Sequence, residues 1–534
     1  MRSIDVYRTH VELTDYTLGE FGYIEKAHSI YDKVYHRFTP KGMIYDKDKK
    51  SLMLPRGVDI DKMRWMLETV PVNIIRDYDP YENMDRPIGI KYTPRDEDQK
   101  EAIKFIMGMD NYYYTKEYSM LSLNLNTGKG KTYCTIAALA LKGMRTIIIT
   151  DTAGCLEQWY NFFQEYTDMS ANEICWISPN NIRRLENTCK QKRANVYLAL
   201  HSTIRAYANR VGWSGITSLF KAMRVGAKVY DEAHLDLDNM FRIDCYTNTF
   251  FNLYLTATPK RSRYEEDKIF QEYFTGIPNI DLFNQDTDPH TKYVGIKFNS
   301  HPTAYDISNC RNAYGLDRMG YVNYLVDQPY FHYMLHILIN QAISKPGKSL
   351  WYIGTNNGIA KVRDWLFENY PELVGCIGIF NGEIPKEERR SQLDKKIILT
   401  NTKSSGAAID ISNLVEVVCL AEPFKSKVLA QQTFGRCRAE NTIYKDIVDV
   451  GFMQTRSFYN FKKPVFMKYA TDCLEVRLKD QEIKDRVKKI LLDRAPLYTP
   501  IMIEDPREDH KGEYIGKYRN PIVFDDIIME DEIR

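Results

Sequence analysis

The sequence predicts an α/β protein of two tandem parallel-sheet lobes, preceded by an accessory domain and followed by a carboxyl-terminal extension. Three observations predict it. At 534 residues the chain exceeds what a single hydrophobic core serves, so at least two cores are expected. From about Tyr92 onward, short apolar runs alternate with helical segments, the pattern of a parallel sheet wrapped by helices. That pattern restarts after the polar stretch Asn284 to His290, which reads as a linker between two lobes.

Composition narrows the class. Apolar residues make up 44% and charged residues 27%, the balance of a folded chain rather than a disordered one. Lys and Arg number 73 against 71 Asp and Glu, so a nucleic-acid surface must be a local basic stripe, not a global excess. The ten cysteines run from Cys134 to Cys473 without a C-x-x-C pair, which fits reduced thiols better than zinc ligands or disulfides. The amino terminus lacks an apolar core of signal-peptide length, and no run of about 18 apolar residues occurs. A soluble, cytoplasmic chain without membrane contact is expected.

Taken in order, residues 1–90 contain the turn-like Leu54-Pro55-Arg56-Gly57 and none of the chemistry that follows. They read as an accessory domain, with DNA binding as one role open to it. Residues 91–285 form the first expected lobe. Met120 to Leu125, Arg145 to Thr150, Val196 to Leu200, Ala227 to Tyr230 and Phe251 to Leu255 read as its buried strands. Leu156, Trp159, Tyr160 and Phe163 keep the spacing of one helix face. Residues 292–458 form the second lobe, with strands expected at Ser349 to Ile353, Val374 to Phe380, Lys396 to Leu399 and Val415 to Leu420. Residues 459–534 are the extension, whose acidic end FDDIIMEDEIR suits a solvated face or a partner-binding tail. No fixed-period repeat is visible, which leaves open that the lobes are distant structural copies.

Two motifs carry chemistry. Thr127-Gly128-Lys129-Gly130-Lys131-Thr132 lies between an expected strand and an expected helix running to about Gly143, the context of a phosphate loop. Glycines let successive backbone N–H groups converge on phosphates, and the helix offers the positive end of its dipole to the same charge. Lys131 is placed to reach the β and γ phosphates and Thr132 to ligate Mg²⁺. The strict pattern has glycine where this chain has Leu125. The second motif, Asp231-Glu232-Ala233-His234, follows the strand ending at Tyr230 and sets two carboxylates at a strand's carboxyl end. Asp231 suits Mg²⁺ and Glu232 suits polarisation of an attacking water. Either motif alone is a common turn; both in this order point to a nucleotide triphosphatase.

With these motifs in place, the order of segments over roughly residues 92 to 450 resembles that of superfamily 2 helicases, which implies two RecA-like lobes that bind ATP and Mg²⁺. Tyr92-Thr93-Pro94-Arg95 with Gln99 resembles the adenine-reading motif, making Gln99 the implied base contact. Thr152 with Gln158-Trp159 looks like motif Ia, in which a threonine grips a strand phosphate, although Asp151 replaces the usual proline. Thr256-Ala257-Thr258-Pro259 is similar to the segment that couples the two functions. In the second lobe, Asn381-Gly382, Arg389 and Lys396 to Thr400 look like the approach to motif V, whose core Gly406 and Asp410 match. Gln432-Thr433-Phe434-Gly435-Arg436-Cys437-Arg438 resembles motif VI, with one residue instead of two between the arginines, so the γ-phosphate finger is Arg436 or Arg438. The resemblance implies nucleotide contacts from Thr127 to Thr132 and from Gln99, His234, Gly406, Asp410 and Gln432. It implies nucleic-acid contacts from Thr152 and Thr400.

The layout looks most like the UvsW, XPB and RecG kind of DNA repair and recombination helicase, which implies single-stranded or branched DNA as partner and is compatible with a phage-encoded protein. An RNA helicase and a duplex translocase that separates no strands share these motifs and stay open. A non-hydrolysing ATP-binding clamp and a P-loop phosphotransferase are the readings from other classes. Lys131, Glu232 and the paired arginines argue against the clamp; the DEAH-type segment and the second lobe argue against the phosphotransferase.

Overall fold

The structure, a computed structural model, describes residues 2–32, 36–46, 49–61, 63, 70–108, 120–125, 130–233, 235–256, 264–281, 291–313, 315–405, 411–437 and 441–492. The chain divides into two compact units whose boundary falls between Gln285 and Asp286.

The first unit opens with a small domain. Strands β1 (Ser3–Val6) and β2 (His10–Thr14) form a hairpin, β3 (Ser29–Asp32) and β4 (Arg37–Pro40) form another, and β5 (Ile44–Asp46), β6 (Ser51–Pro55) and β7 (Val72–Ile74) complete a five-stranded sheet in the order β5-β6-β2-β1-β7. Its apolar face, with Ile4, Val11, Leu13, Leu52 and Leu54, makes a core of its own. Ile44 and Met53 reach the other way and pack into the core of the lobe that follows.

That lobe is a seven-stranded sheet, all parallel: β8 (Met120–Asn124), β9 (Thr146–Thr150), β10 (Ile174–Ile177), β11 (Val196–Leu200), β12 (Ala227–Tyr230), β13 (Phe251–Thr256) and β14 (Asn279–Asp281), in the order β10-β11-β9-β12-β13-β8-β14. A strand such as Thr146-Ile147-Ile148-Ile149-Thr150 is buried on both faces because helices cover both, and β-branched residues suit that setting. Ile148, Leu198, Val229 and Leu253 point into one core, and Ile147, Ile149, Tyr197 and Tyr254 into the other.

The second unit repeats the plan. Strands β15 (Thr291–Phe298), β18 (Lys348–Ile353), β19 (Ile377–Phe380), β20 (Ile397–Thr400), β21 (Leu414–Ala421), β22 (Thr442–Asp449) and β23 (Asp472–Arg477) run parallel in the order β19-β20-β18-β21-β22-β15-β23; β16 (Arg311–Asn312) and β17 (Gly315–Leu316) form a separate short pair. Counted within each lobe, both sheets read 3-4-2-5-6-1-7. The expected pair of tandem RecA-like lobes is therefore present, and each lobe copies the other's topology.

The sequence reading picked out five strands of the first sheet and four of the second. It missed β10, β14, β15, β22 and β23, and the strand expected from Val374 starts at Ile377, after a short helical turn. The reason is visible in β22, a buried strand that carries Lys445 and Asp446; the first pairs with Glu416 and the second with Lys462, so charge sits inside the sheet. Strand β23 lies beyond residue 458 and pairs along β15 with a mostly exposed face. Among the described residues, no helix is long and apolar enough to cross a membrane.

Candidate active site

In the first lobe the predicted residues gather at the carboxyl ends of β8 and β12, where open parallel sheets bind ligands. The helix Lys131–Lys142 begins at Gly130, which has φ +84° and offers no side-chain cap, so the first-turn N–H groups are left for a ligand. Gln99 lies over this turn: a Cβ built on Gly130 would fall 2.3 Å from Gln99 Nε2. The helix carrying Gln99, Glu97–Met107, is capped by Asp96, which accepts the Gln99 backbone N–H at 3.0 Å. The Gln99 side-chain oxygen accepts the Arg95 N–H at 2.9 Å, fixing the amide plane above the glycine.

The second motif closes the site from β12. Lys131 Nζ stands 3.7 Å from Glu232 Oε1, with both side chains only 13% exposed. Glu232 adopts φ +50°, a left-handed conformation that costs a non-glycine residue about 1–2 kcal/mol and must be held by its surroundings. Three backbone bonds hold it: Asp231 N–H donates to Ile149 O at 3.0 Å, Ala233 N–H to Leu255 O at 2.9 Å, and Leu235 N–H to Glu232 O at 2.8 Å. Asp231 accepts twice, from the Glu232 N–H at 3.0 Å and from Trp159 Nε1 at 2.8 Å. Burial, then the neighbouring Glu232, push the Asp231 carboxyl above its ordinary range, while Lys131 and the Trp159 N–H oppose the shift. Asp231 and Thr132 carry hard oxygens of the kind Mg²⁺ takes, and the uncapped helix start after Gly130 offers N–H groups of the kind phosphate takes.

Thr152 caps the helix Ala153–Tyr166, accepting the Cys155 N–H at 3.3 Å. Thr256 ends β13 fully buried beside Asn124, the last residue of β8. Sequence reasoning placed Trp159 in motif Ia but missed its bond to Asp231; an indole N–H on the buried face of that helix was the available signal.

In the second lobe, Gln432 lies on the helix Lys427–Phe434 and Arg436 just after its Gly435 cap, and both are buried. Thr400, expected to touch nucleic acid, ends β20 with no exposed surface, and its hydroxyl donates to Phe380 O at 2.7 Å. Its side chain does not reach the surface. Thr127, Gly128, Lys129, His234, Gly406, Asp410 and Arg438 lie outside the described residues, as do Ala257, Thr258 and Pro259.

Residues 91–261 match the family described as Type III restriction enzyme, res subunit. That match lies within the first lobe and spans about a third of the chain. The matched segment holds Gln99, Gly130, Lys131, Asp231 and Glu232 together. Among solved structures, T4 UvsW aligns at 15% identity over 89% of this chain and 100% of that one, with a TM-score of 0.34. Dbp5 of S. cerevisiae, bound to RNA and ADP BeF3, aligns at 16% identity over 75% of this chain and 98% of that one, with a TM-score of 0.48. No curated protein sequence matches the chain.

Proposed function

We propose that the chain is an ATP-dependent DNA helicase or translocase that couples ATP hydrolysis to movement along, or remodelling of, single-stranded or branched DNA in replication, recombination or repair. One observation carries the reading: Gln99, Gly130, Lys131, Asp231 and Glu232, scattered over more than a hundred residues of sequence, converge at one end of one sheet.

In this reading Gln99 receives the adenine edge, and the backbone from Thr127 to Gly130 with Lys131 cradles the phosphates. Thr132 and Asp231 would hold Mg²⁺, which when bound would supply positive charge to the phosphates. Glu232, now paired with Lys131, is released when Lys131 turns to phosphate, and then accepts a proton from the attacking water. His234, Gly406, Asp410 and Gln432 add contacts to the nucleotide, and Arg436 or Arg438 supplies positive charge to the γ-phosphate. Thr152, by its hydroxyl and the backbone N–H groups near it, grips strand phosphate, and the buried Thr400 positions the loop that follows it. Residues 1–90 serve as the accessory domain, 91–285 and 292–458 as the lobes and 459–534 as the extension.

The test is ATPase turnover with single-stranded, duplex, forked and four-way DNA and with RNA, with Glu232→Gln, Arg436→Ala and Arg438→Ala in parallel. Stimulation by DNA is expected, strongest on single-stranded or branched forms and falling steeply with salt. One arginine variant should lose about 10³-fold or more in rate. Stimulation by RNA alone removes the DNA assignment, and normal turnover in both arginine variants removes the motif VI assignment.

A further inference from the structure

Directly beneath the two carboxylates lies a charged cluster that the chemistry above does not use. Lys228 of β12 and Asp244 of the helix Leu237–Tyr246 form an ion pair at 2.5 Å, and neither side chain is exposed at all. Three phenols converge on the same carboxylate. Tyr230 donates to Asp244 Oδ1 at 2.7 Å, and Tyr254 of β13 to Oδ2 at 2.6 Å; Tyr273, on the helix Tyr264–Phe274, also donates to Oδ2. Lys228 keeps a second bond, to the Thr247 hydroxyl at 2.7 Å. Burial drives the three tyrosines well above their ordinary range, so they remain donors at any working pH.

The position of this cluster in the chain gives it a use. Tyr230 is the residue before Asp231, and Asp244 sits on the first helix after the DEAH-type turn, 14 residues on. Their hydrogen bond therefore closes the base of the loop that carries Asp231 and Glu232. The far end is held as well: Asp236 caps the helix, Asn239 Nδ2 donates to His201 O at 3.0 Å, and Thr9 of the amino-terminal domain donates to Asp244 O at 2.9 Å. A loop with a left-handed glutamate at its apex needs both ends fixed if the carboxylate is to return to one place on every turnover.

We propose that Asp244 and Tyr230 form a positioning clasp that sets Glu232 for the hydrolytic step, beyond their part in the core. This inference rests on the ATPase reading above. It predicts an asymmetry between two hydroxyls on one carboxylate. Tyr230→Phe removes the bond made by the residue directly before Asp231 and leaves Lys228, two residues further back on β12, on Oδ1; Tyr273→Phe removes a bond from a helix outside the loop and leaves Tyr254 on Oδ2.

The experiment compares the two full-length variants, at a temperature where thermal melts show both folded, for kcat and KM of ATP with single-stranded DNA. Tyr230→Phe should lower kcat about tenfold with KM unchanged, while Tyr273→Phe keeps wild-type kcat despite a similar fall in Tm. Equal kcat values in the two variants, whether both normal or both reduced, overturn the clasp. Glu232→Gln in the same assay separates the two claims, because wild-type turnover there removes the ATPase assignment of Glu232 itself.

Discussion

The two lobes share a strand order and differ in what their loops do at the same three places. After the first strand, the amino-terminal lobe has Gly130 and Lys131 at an uncapped helix start; the carboxyl-terminal lobe has His301 with φ +56°, Pro302 and a helix capped by Thr303. After the fifth strand, Asp231 and Glu232 face Lys131 in one lobe. In the other, Glu422 is fully buried, pairs with Arg318 and accepts the Thr402 N–H at 3.2 Å. After the sixth strand, Thr256 leads onward in one lobe, whereas Asp449 in the other accepts the Ser300 N–H at 3.0 Å and the Gly451 N–H at 2.9 Å. In the carboxyl-terminal lobe these loops are tied to one another by their own side chains. Topology supplies the crevice, and a handful of loop residues decide whether it takes a ligand.

The largest expected effects break that comparison in opposite directions. Glu232→Gln should lower turnover by about 10² to 10⁴, the usual contribution of a positioned acid or base, with ATP binding retained. Glu422→Gln, at the position after the fifth strand that Asp231 holds in the first lobe, should leave ATP affinity intact and act on the fold. Arg318→Ala, which leaves Glu422 buried without its cation, should cost about 3–5 kcal/mol of stability in denaturant titrations. If Glu422→Gln abolished nucleotide binding while the melting curve stayed put, the division of labour between the crevices would be wrong.

The same contrast shows which features were legible from residue types. Apolar runs such as β9 and β11 announced themselves, as did the glycine-lysine turn and the adjacent carboxylates, because local composition carries those signals. What stayed hidden needed a partner distant in sequence. Lys228 sits in a strand read as buried with no visible partner until Asp244 is placed against it, and β22 looks too charged for a core until Glu416 and Lys462 are in place. Trp159 reads as an apolar anchor, and only the fold shows its N–H aimed at Asp231. Thr400 sits in a motif associated with strand contacts, yet its hydroxyl is turned inward to Phe380.

A smaller effect concerns protons. Burial raises the carboxyls of both Asp231 and Glu422, but only the first lies beside Lys131. In the unbound protein, native Asp231 holds its proton at pH values where the unfolded chain has lost it. This group therefore lowers stability as pH rises from the ordinary carboxylate range through its raised value. Nucleotide bound with its divalent ion favours the ionised form, so binding must release a proton and strengthen as pH rises through the same range. Calorimetry in two buffers of different ionisation enthalpy reads that proton directly. Asp231→Asn should abolish the release and Glu422→Gln should not; a release unchanged in Asp231→Asn would assign the proton elsewhere.

The smallest effect tests the turn itself. Gly130 and Gly143 both occupy left-handed conformations, with φ +84° and +65°, at the two ends of one helix. Alanine at either should cost about 1–2 kcal/mol through the backbone alone. They differ in what a Cβ would meet: Gln99 Nε2 at 2.3 Å for Gly130, and nothing within 4 Å for Gly143. Gly130→Ala should therefore push the Gln99 amide off its bond to Arg95 N–H, raise the KM for ATP several-fold and narrow the preference for ATP over GTP. Gly143→Ala should lose similar stability with KM and nucleotide preference unchanged. Steady-state kinetics with both nucleotides decides it: a shared rise in KM would mean that helix stability, not the seat of Gln99 over the phosphate turn, governs nucleotide uptake.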